Sequence, residues 1–173
     1  MPAPDVRLRR LQWPTEADIA ALSELLIDAV DGGASVSFMQ PLTREKAADF
    51  WRQVASAVGA GERLLLVAED SAGLLGTVQL VLAQPENQPH RADLAKMLVH
   101  RRARRQGVGA ALMQAAEQQA RLAGKTLLVL DTASAEAERL YQRHGWVRVG
   151  VVPGYALWPQ GGACDTVYYY KPL

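Results

Sequence analysis

Apolar residues at Ile19, Leu22, Leu25, Leu26 and Val30 recur at the spacing of a helix with one face on a core. Thr15-Glu16-Ala17-Asp18 just ahead of them resembles a capping box, and Asp31-Gly32-Gly33 stops the pattern. Thr43 opens a second helical stretch through about Val58. Val6, Leu8 and Leu11, set among arginines, predict a short first strand. Arg63 to Glu69 and Leu74 to Leu82 predict two strands joined by the turn Asp70-Ser71-Ala72-Gly73. Ala92 to Val99 is a further strand, behind a proline-bearing loop from Gln84 to His90. Helical spacing returns over Gly107–Ala123 and ends at Gly124. The short apolar run Leu127–Leu130 reads as a buried strand. Ala133–His144 reads as a helix stopped by Gly145, and Trp146–Val152 and Thr166–Lys171 as the last two strands. The order β-α-α-β-β-β-α-β-α-β-β describes one α/β domain, residues 1–173, around a mixed sheet.

With 173 residues, 49% of them hydrophobic and 21% charged, the chain is long enough for one full core and too apolar for disorder. A net charge of +1 argues against a surface built to coat nucleic acid. The lone cysteine, Cys164, excludes an internal disulfide and fits a reducing compartment. The start, Met1 to Asp5 followed by Arg7, Arg9 and Arg10, has no apolar stretch for a signal peptide. The weakly polar run from Gly73 to Gln84 is too short to cross a bilayer. A soluble cytoplasmic protein with no membrane partner is expected. Monomer and homodimer both stay open.

The candidate chemistry lies between the fourth strand and the third helix, in Arg101-Arg102-Ala103-Arg104-Arg105-Gln106-Gly107-Val108-Gly109-Ala110. Unpaired N–H groups at a helix start, with its dipole, favour an anion. Gly107 and Gly109 let a ligand reach the backbone, and Arg102, Arg104 and Arg105 add positive charge. Three other readings compete. A dinucleotide fingerprint needs a third glycine where Leu112 stands. A P-loop ending at Gly124-Lys125-Thr126 needs its first glycine where Gln119 stands. Four arginines in five residues suit nucleic acid, but no aromatics are interleaved with them. A solvated arginine turn that merely starts a helix is the bland alternative.

Val99-His100, Arg104-x-x-Gly107-x-Gly109 and Leu112 resemble the acetyl-CoA motif of the GNAT superfamily of N-acetyltransferases. Ala137-x-x-Leu140-Tyr141-x-x-x-Gly145-Trp146 resembles the superfamily's second motif. The chain looks most similar to the tabtoxin-resistance type, through Arg91 to Met97, Leu130-Asp131-Thr132, Arg148-Val149-Gly150 with Pro153-Gly154-Tyr155, and Tyr168-Tyr169-Tyr170-Lys171. The resemblance implies a GNAT fold: a mixed sheet of about seven strands with about four helices, whose fourth and fifth strands splay apart. Acetyl-CoA would lie in the splay as cosubstrate, without a metal. Its pantetheine arm would pair with Met97, Leu98 and Val99. Its pyrophosphate would sit on the N–H groups of Arg104, Arg105, Gln106, Gly107, Val108, Gly109 and Ala110. Many relatives carry Asn where this chain has Ser134, whose hydroxyl can bond the cofactor arm or cap the helix.

Making an amide from a thioester needs a neutral amine. An alkyl ammonium with a pKa of about 10 is almost wholly protonated at neutral pH, so a base assists. The leaving thiolate, with a thiol pKa of about 8.5, is helped by a donor. The thioester oxygen needs a backbone N–H. By the resemblance, Tyr141 is the acid at the sulfur; core packing is its plain alternative. Asp93 and Asp131 are the base candidates, with counter-ion duty, a strand end (Asp93) or a helix cap (Asp131) as alternatives. His90, His100 and His144 lack metal-ligand spacing, and no base accompanies Cys164, which is placed in a loop after Gly161-Gly162-Ala163. Direct transfer is therefore the simpler route.

The loop Ser35–Met39 and the segment Pro153–Pro159 are the expected walls of the acceptor pocket. Phe38, Tyr155 and Trp158 either line it or plug the loops. A small polar amine, such as an amino acid or an antimetabolite, is the expected acceptor, with a resistance or detoxification role implied by the resemblance. A non-catalytic acetyl-CoA-binding module and a protein N-acetyltransferase are the competing functions.

Overall fold

The computed structural model describes residues 5–173. The reading of Met1–Pro4 as part of a non-signal start lies outside them. Seven strands and four helices follow in chain order: β1 (Arg7–Arg10), α1 (Glu16–Asp31), α2 (Arg44–Gly59), β2 (Arg63–Asp70), β3 (Gly73–Val81), β4 (Arg91–Val99), α3 (Val108–Leu122), β5 (Leu127–Thr132), α4 (Ala135–Arg143), β6 (Val147–Leu157) and β7 (Ala163–Pro172). The expected order is present. The capping box closes on itself, with Asp18 N–H donating to Thr15 Oγ1 at 3.2 Å and Thr15 N–H to the Asp18 carboxylate at 2.8 Å.

The sheet runs β1-β2-β3-β4-β5-β7-β6. Every pairing is antiparallel except β4 with β5. Its inner strands β2 and β3 are buried on both faces, as β2 shows by alternation. Leu64 and Leu66 join Leu112, Met113 and Leu128 in a core under α3. Leu65 and Val67 join Leu22, Leu26 and Trp51 in a core under α1 and α2.

Two irregularities shape the functional end. The β4–β5 ladder has only three pairs, Arg91↔Leu127, Ala92↔Leu128 and Asp93↔Val129. Beyond Asp93 the strands part, and the edge of β4 that faces β5 is left without a ladder. In β4 the register against β3 shifts between Gln79↔Ala95 and Thr77↔Leu98, so Lys96 and Met97 together oppose Val78. This is a β-bulge, with Lys96 at φ +50°, and a bulge bends its strand.

The C-terminal hairpin is longer than its pattern predicts. β6 continues through Pro153 to Leu157, and β7 begins at Ala163. The Pro153–Leu157 wall is therefore strand, not loop, and Cys164 sits in β7 rather than in the preceding glycine loop. A register shift after Val152 absorbs the proline, and Gly154 N–H donates to the Asp165 carboxylate at 2.8 Å across it. Among the described residues no helix is long and apolar enough to cross a membrane.

Candidate active site

β4 ends at Val99, and one 3-10 turn, Arg101–Ala103, leads toward α3. The four arginines divide into two pairs. Arg101 donates to Asp28 of α1 through Nε at 2.8 Å and through its backbone N–H at 3.0 Å. Arg102 grips Asp70 with both guanidinium nitrogens, at 2.8 and 3.0 Å. That contact holds the Asp70 carboxyl at about 2, below its ordinary 3.8. These two arginines are clamps on neighbouring elements. Arg102 is thus already paired and is not the free phosphate-screening cation its sequence position suggested.

Arg104 and Arg105 are exposed and line a cavity of about 1730 Å³. Arg105 at φ +60° and Gly107 at φ +79° turn the backbone left-handed on either side of Gln106. Such turns gather N–H groups into an anion-binding concavity. Gly107, Val108, Gly109 and Ala110 line the same cavity. The Gln106 side chain turns back to the Arg102 carbonyl, at 3.0 Å. A Cβ on Gly109 would lie 3.3 Å from Leu140 Cδ2, and one on Gly76 of β3 would lie 2.7 Å from the Leu98 carbonyl. Both glycines keep α3 and β4 close to their neighbours.

From this turn the cavity follows the parted edge of β4 past Val99, Leu98 and Met97 to Tyr141, Asp131 and Tyr155. Tyr141 is buried, 3% exposed, with its ring 5.6 Å from Trp146 and 6.0 Å from Tyr169. Packing and exposure to the cavity coexist at this residue. Burial and the nearby Asp131 carboxylate hold its phenol well above the ordinary range, so it stays protonated. Ser134 lines the cavity and caps α4, accepting from Ala137 N–H at 3.2 Å. The cap of that helix is therefore Ser134, not Asp131. The Ser134 hydroxyl proton remains available to a ligand.

Asp131, one residue before the end of β5, accepts from Thr166 Oγ1 of β7 at 2.8 Å. Asp93 lies where the β4–β5 ladder stops. It pairs with Arg91 at 2.7 Å and accepts from Gln84 Nε2 at 3.1 Å, so both of its oxygens are engaged.

A second chamber of about 310 Å³ adjoins the large cavity, and Ser35, Ser37, Asp131 and Tyr155 line both. Phe38, Met39, Cys164, Asp165 and Thr166 are among its other walls. Phe38 also packs edge-on against Phe50, with centroids 5.2 Å apart. Trp158 lines only the larger cavity. Tyr168 donates to Tyr155 Oη at 3.1 Å, which, with burial and the nearby Asp131, pushes its phenol up to about 12. The buried Cys164 thiol donates to Ser35 Oγ at 3.4 Å. Among the described residues no three His, Cys, Asp or Glu cluster as metal ligands.

Sequence pattern alone misses Lys96, Arg63, Thr166 and Cys164. Lys96 Nζ donates to Ser37 Oγ at 2.9 Å, and Lys96 and Arg63 both line the large cavity. The one available signal is a lysine interrupting the apolar run Leu94–Val99. Thr166 and Cys164 meet the site only through β5–β7 and β6–β7 register.

Residues 61–148 match the acetyltransferase (GNAT) domain family. The chain is 30% identical over 134 residues to an uncharacterized N-acetyltransferase from the hisH-hisA intergenic region of Azospirillum brasilense, covering 76% of this chain and 78% of that protein. Its fold is similar to a ribosomal-protein-alanine N-acetyltransferase from Brucella melitensis, with a TM-score of 0.79 at 22% identity over 96% of this chain and 99% of that one. It is also similar to a phosphinothricin acetyltransferase from Sinorhizobium meliloti, solved in complex with acetyl-CoA, with a TM-score of 0.80 at 18% identity over 98% and 89% of the two chains. A strand pair that opens after three rungs, with a left-handed arginine–glycine turn at its mouth, is the geometry of that fold, and the chain belongs to the GNAT family of acetyltransferases.

Proposed function

We propose that this N-acetyltransferase moves an acetyl group from acetyl-CoA directly to the amine of a small polar molecule, an amino acid or an antimetabolite of that kind, in a cytoplasmic resistance or detoxification role of the tabtoxin-resistance type. The observation that carries this reading is the pair of adjoining cavities that share Asp131. The larger is long enough for a donor that begins at Arg104. The smaller, at about 310 Å³, is at the low end for small-molecule sites, which favours a compact acceptor over a peptide.

In this reading the N–H groups from Arg104 to Ala110 take the donor's diphosphate. The open edge of β4 at Met97, Leu98 and Val99 pairs with the pantetheine arm, and Ser134 donates to it. Asp131 is the base, because Asp93 already serves Arg91 and Gln84. Thr166 orients one Asp131 oxygen and leaves the other for the amine proton. Tyr141 faces the leaving sulfur. Its phenol titrates far above a thiol of about 8.5, so complete proton transfer to the thiolate is uphill. Tyr141 therefore works as a permanently loaded hydrogen-bond donor to the developing charge. Phe38 and Tyr155 wall the acceptor.

Thiol release measured over a panel of small amines and short peptides tests this. Turnover is expected on small amines, and Asp131→Asn should lower kcat/KM by about 10² or more, with the loss largest at the acid end of the pH profile. Acetylation of peptides alone would refute the acceptor assignment.

A further inference from the structure

Of the arginines and lysines that line the large cavity, Arg104, Arg105, Arg139 and Arg143 are exposed, where water screens their charge, and three more stand near it already matched. Arg91 serves Asp93, Arg101 serves Asp28 and Arg102 serves Asp70. Lys96 and Arg63 are different. Both are half-buried, both line the large cavity, and neither forms an ion pair among the described residues. Among the described residues the only side-chain partner of Lys96 is the neutral Ser37 hydroxyl, at 2.9 Å. Arg63 Nη1 donates to the amide oxygen of the fully buried Gln79, at 2.7 Å. Lys96 also sits at φ +50° in the β4 bulge, a conformation a lysine holds only where its surroundings impose it. Burial pulls its pKa down, Arg63 adds to that, and Asp131 opposes it.

Half-buried cations without counter-charge are costly unless a ligand supplies one. Asp131 opposes the charges of Lys96 and Arg63, and Asp93 in the same cavity is held by Arg91, so Lys96, Arg63 and Asp131 together leave one positive charge uncompensated. The donor does not neutralise it. Its phosphates belong at the Arg104–Ala110 turn, and its pantetheine arm is uncharged. The acceptor must then bring the anion. An acceptor with only an amine would add positive charge beside two cations. One with an amine and a carboxylate satisfies Asp131 and Lys96 together.

We propose that Lys96, backed by Arg63, is the specificity-determining residue that holds a carboxylate on the acceptor while the amine faces Asp131. This rests on reading the chamber at Asp131 as the acceptor site. The test compares wild type, Lys96→Met and Lys96→Arg in two assays. The first measures acetylation of the free L-amino acids against their α-carboxamides. Wild type and Lys96→Arg should prefer the acids at least tenfold in kcat/KM. In Lys96→Met that preference should vanish through KM, with KM for acetyl-CoA unchanged. The second measures binding of N-acetyl amino acids and their amides to the CoA-loaded protein by calorimetry, which needs no turnover. The acids should bind wild type, weaken at least tenfold in Lys96→Met and recover in Lys96→Arg. Equal treatment of acids and amides by wild type, no binding of any N-acetyl amino acid, or a preference that survives Lys96→Met would overturn the proposal. Discrimination in calorimetry with no acetylation of any amine would instead refute the acceptor reading and leave the carboxylate site standing.

Discussion

Gly76 has no room for a single carbon. An added Cβ would sit 2.7 Å from the Leu98 carbonyl and 2.9 Å from Leu112 Cδ1, so β4 or α3 must move. Gly76→Ala should cost about 2 kcal/mol and lower the melting temperature by roughly 4–8 °C, and it should weaken acetyl-CoA binding because the displaced parts carry the cofactor turn. Gly33, at φ +87° with nothing within 4 Å, is a contrast in which only backbone strain opposes a side chain. Tyr141 separates packing from chemistry in the same way. Its ring contacts with Trp146 and Tyr169 survive in Tyr141→Phe. That variant should keep its melting temperature and its acetyl-CoA affinity and lose about 10² in kcat. A melting temperature that fell with kcat unchanged would assign Tyr141 to the core alone.

At the scale of elements, the phosphate turn is held from both sides by ion pairs that sequence pattern does not reveal. Arg102 reaches Asp70 at the end of β2, and Arg101 reaches Asp28 in α1. The Asp70 carboxyl titrates at about 2 against an ordinary 3.8. Its folded pKa is depressed, so its stabilising contribution is present above about pH 4 and is lost as pH falls toward 2. Asp70→Asn should therefore lose less stability than wild type over that interval in acid titrations followed by circular dichroism. A loss as steep as wild type's would mean that the clamp adds nothing. What was legible along the chain follows the same division. α1 could be read because Thr15 and Asp18 cap it locally and its apolar stripe has helical period. The glycines of the α3 turn and the Leu140-Tyr141 pair could be read because their spacing lies within one strand–turn–helix unit. The full length of β6 is not legible because Pro153 and Gly154 read as a break, whereas an irregular rung with Asp165 carries the strand across them. Lys96 is not legible because a bulge is a property of register with β3, and Thr166 because it reaches Asp131 from a strand 35 residues away.

At the scale of the molecule, the sheet carries a core on each face, and the parted end of β4 and β5 is where the sheet's continuity lapses. On the α3 face, Lys171 of β7 joins Glu117 of α3 at 2.8 Å and the His144 carbonyl at 2.7 Å, while Trp146 Nε1 donates to the same glutamate at 3.2 Å. These bonds tie β7, α3 and the end of α4 together behind the cavity. A donor lying along β4, from Arg104 and Arg105 to Tyr141, would add contacts to β4, α3 and α4 at once. Acetyl-CoA at about a hundred times its Kd should then stabilise the fold by about 2.7 kcal/mol, a rise of roughly 5–11 °C for a chain of this size, read by thermal unfolding. Arg104 and Arg105 are exposed, so their share should be screened by salt. The double variant Arg104→Gln, Arg105→Gln should show a smaller rise at low ionic strength and converge on wild type at high salt. A rise independent of both arginines and of salt would place the donor's phosphates elsewhere than on the α3 turn.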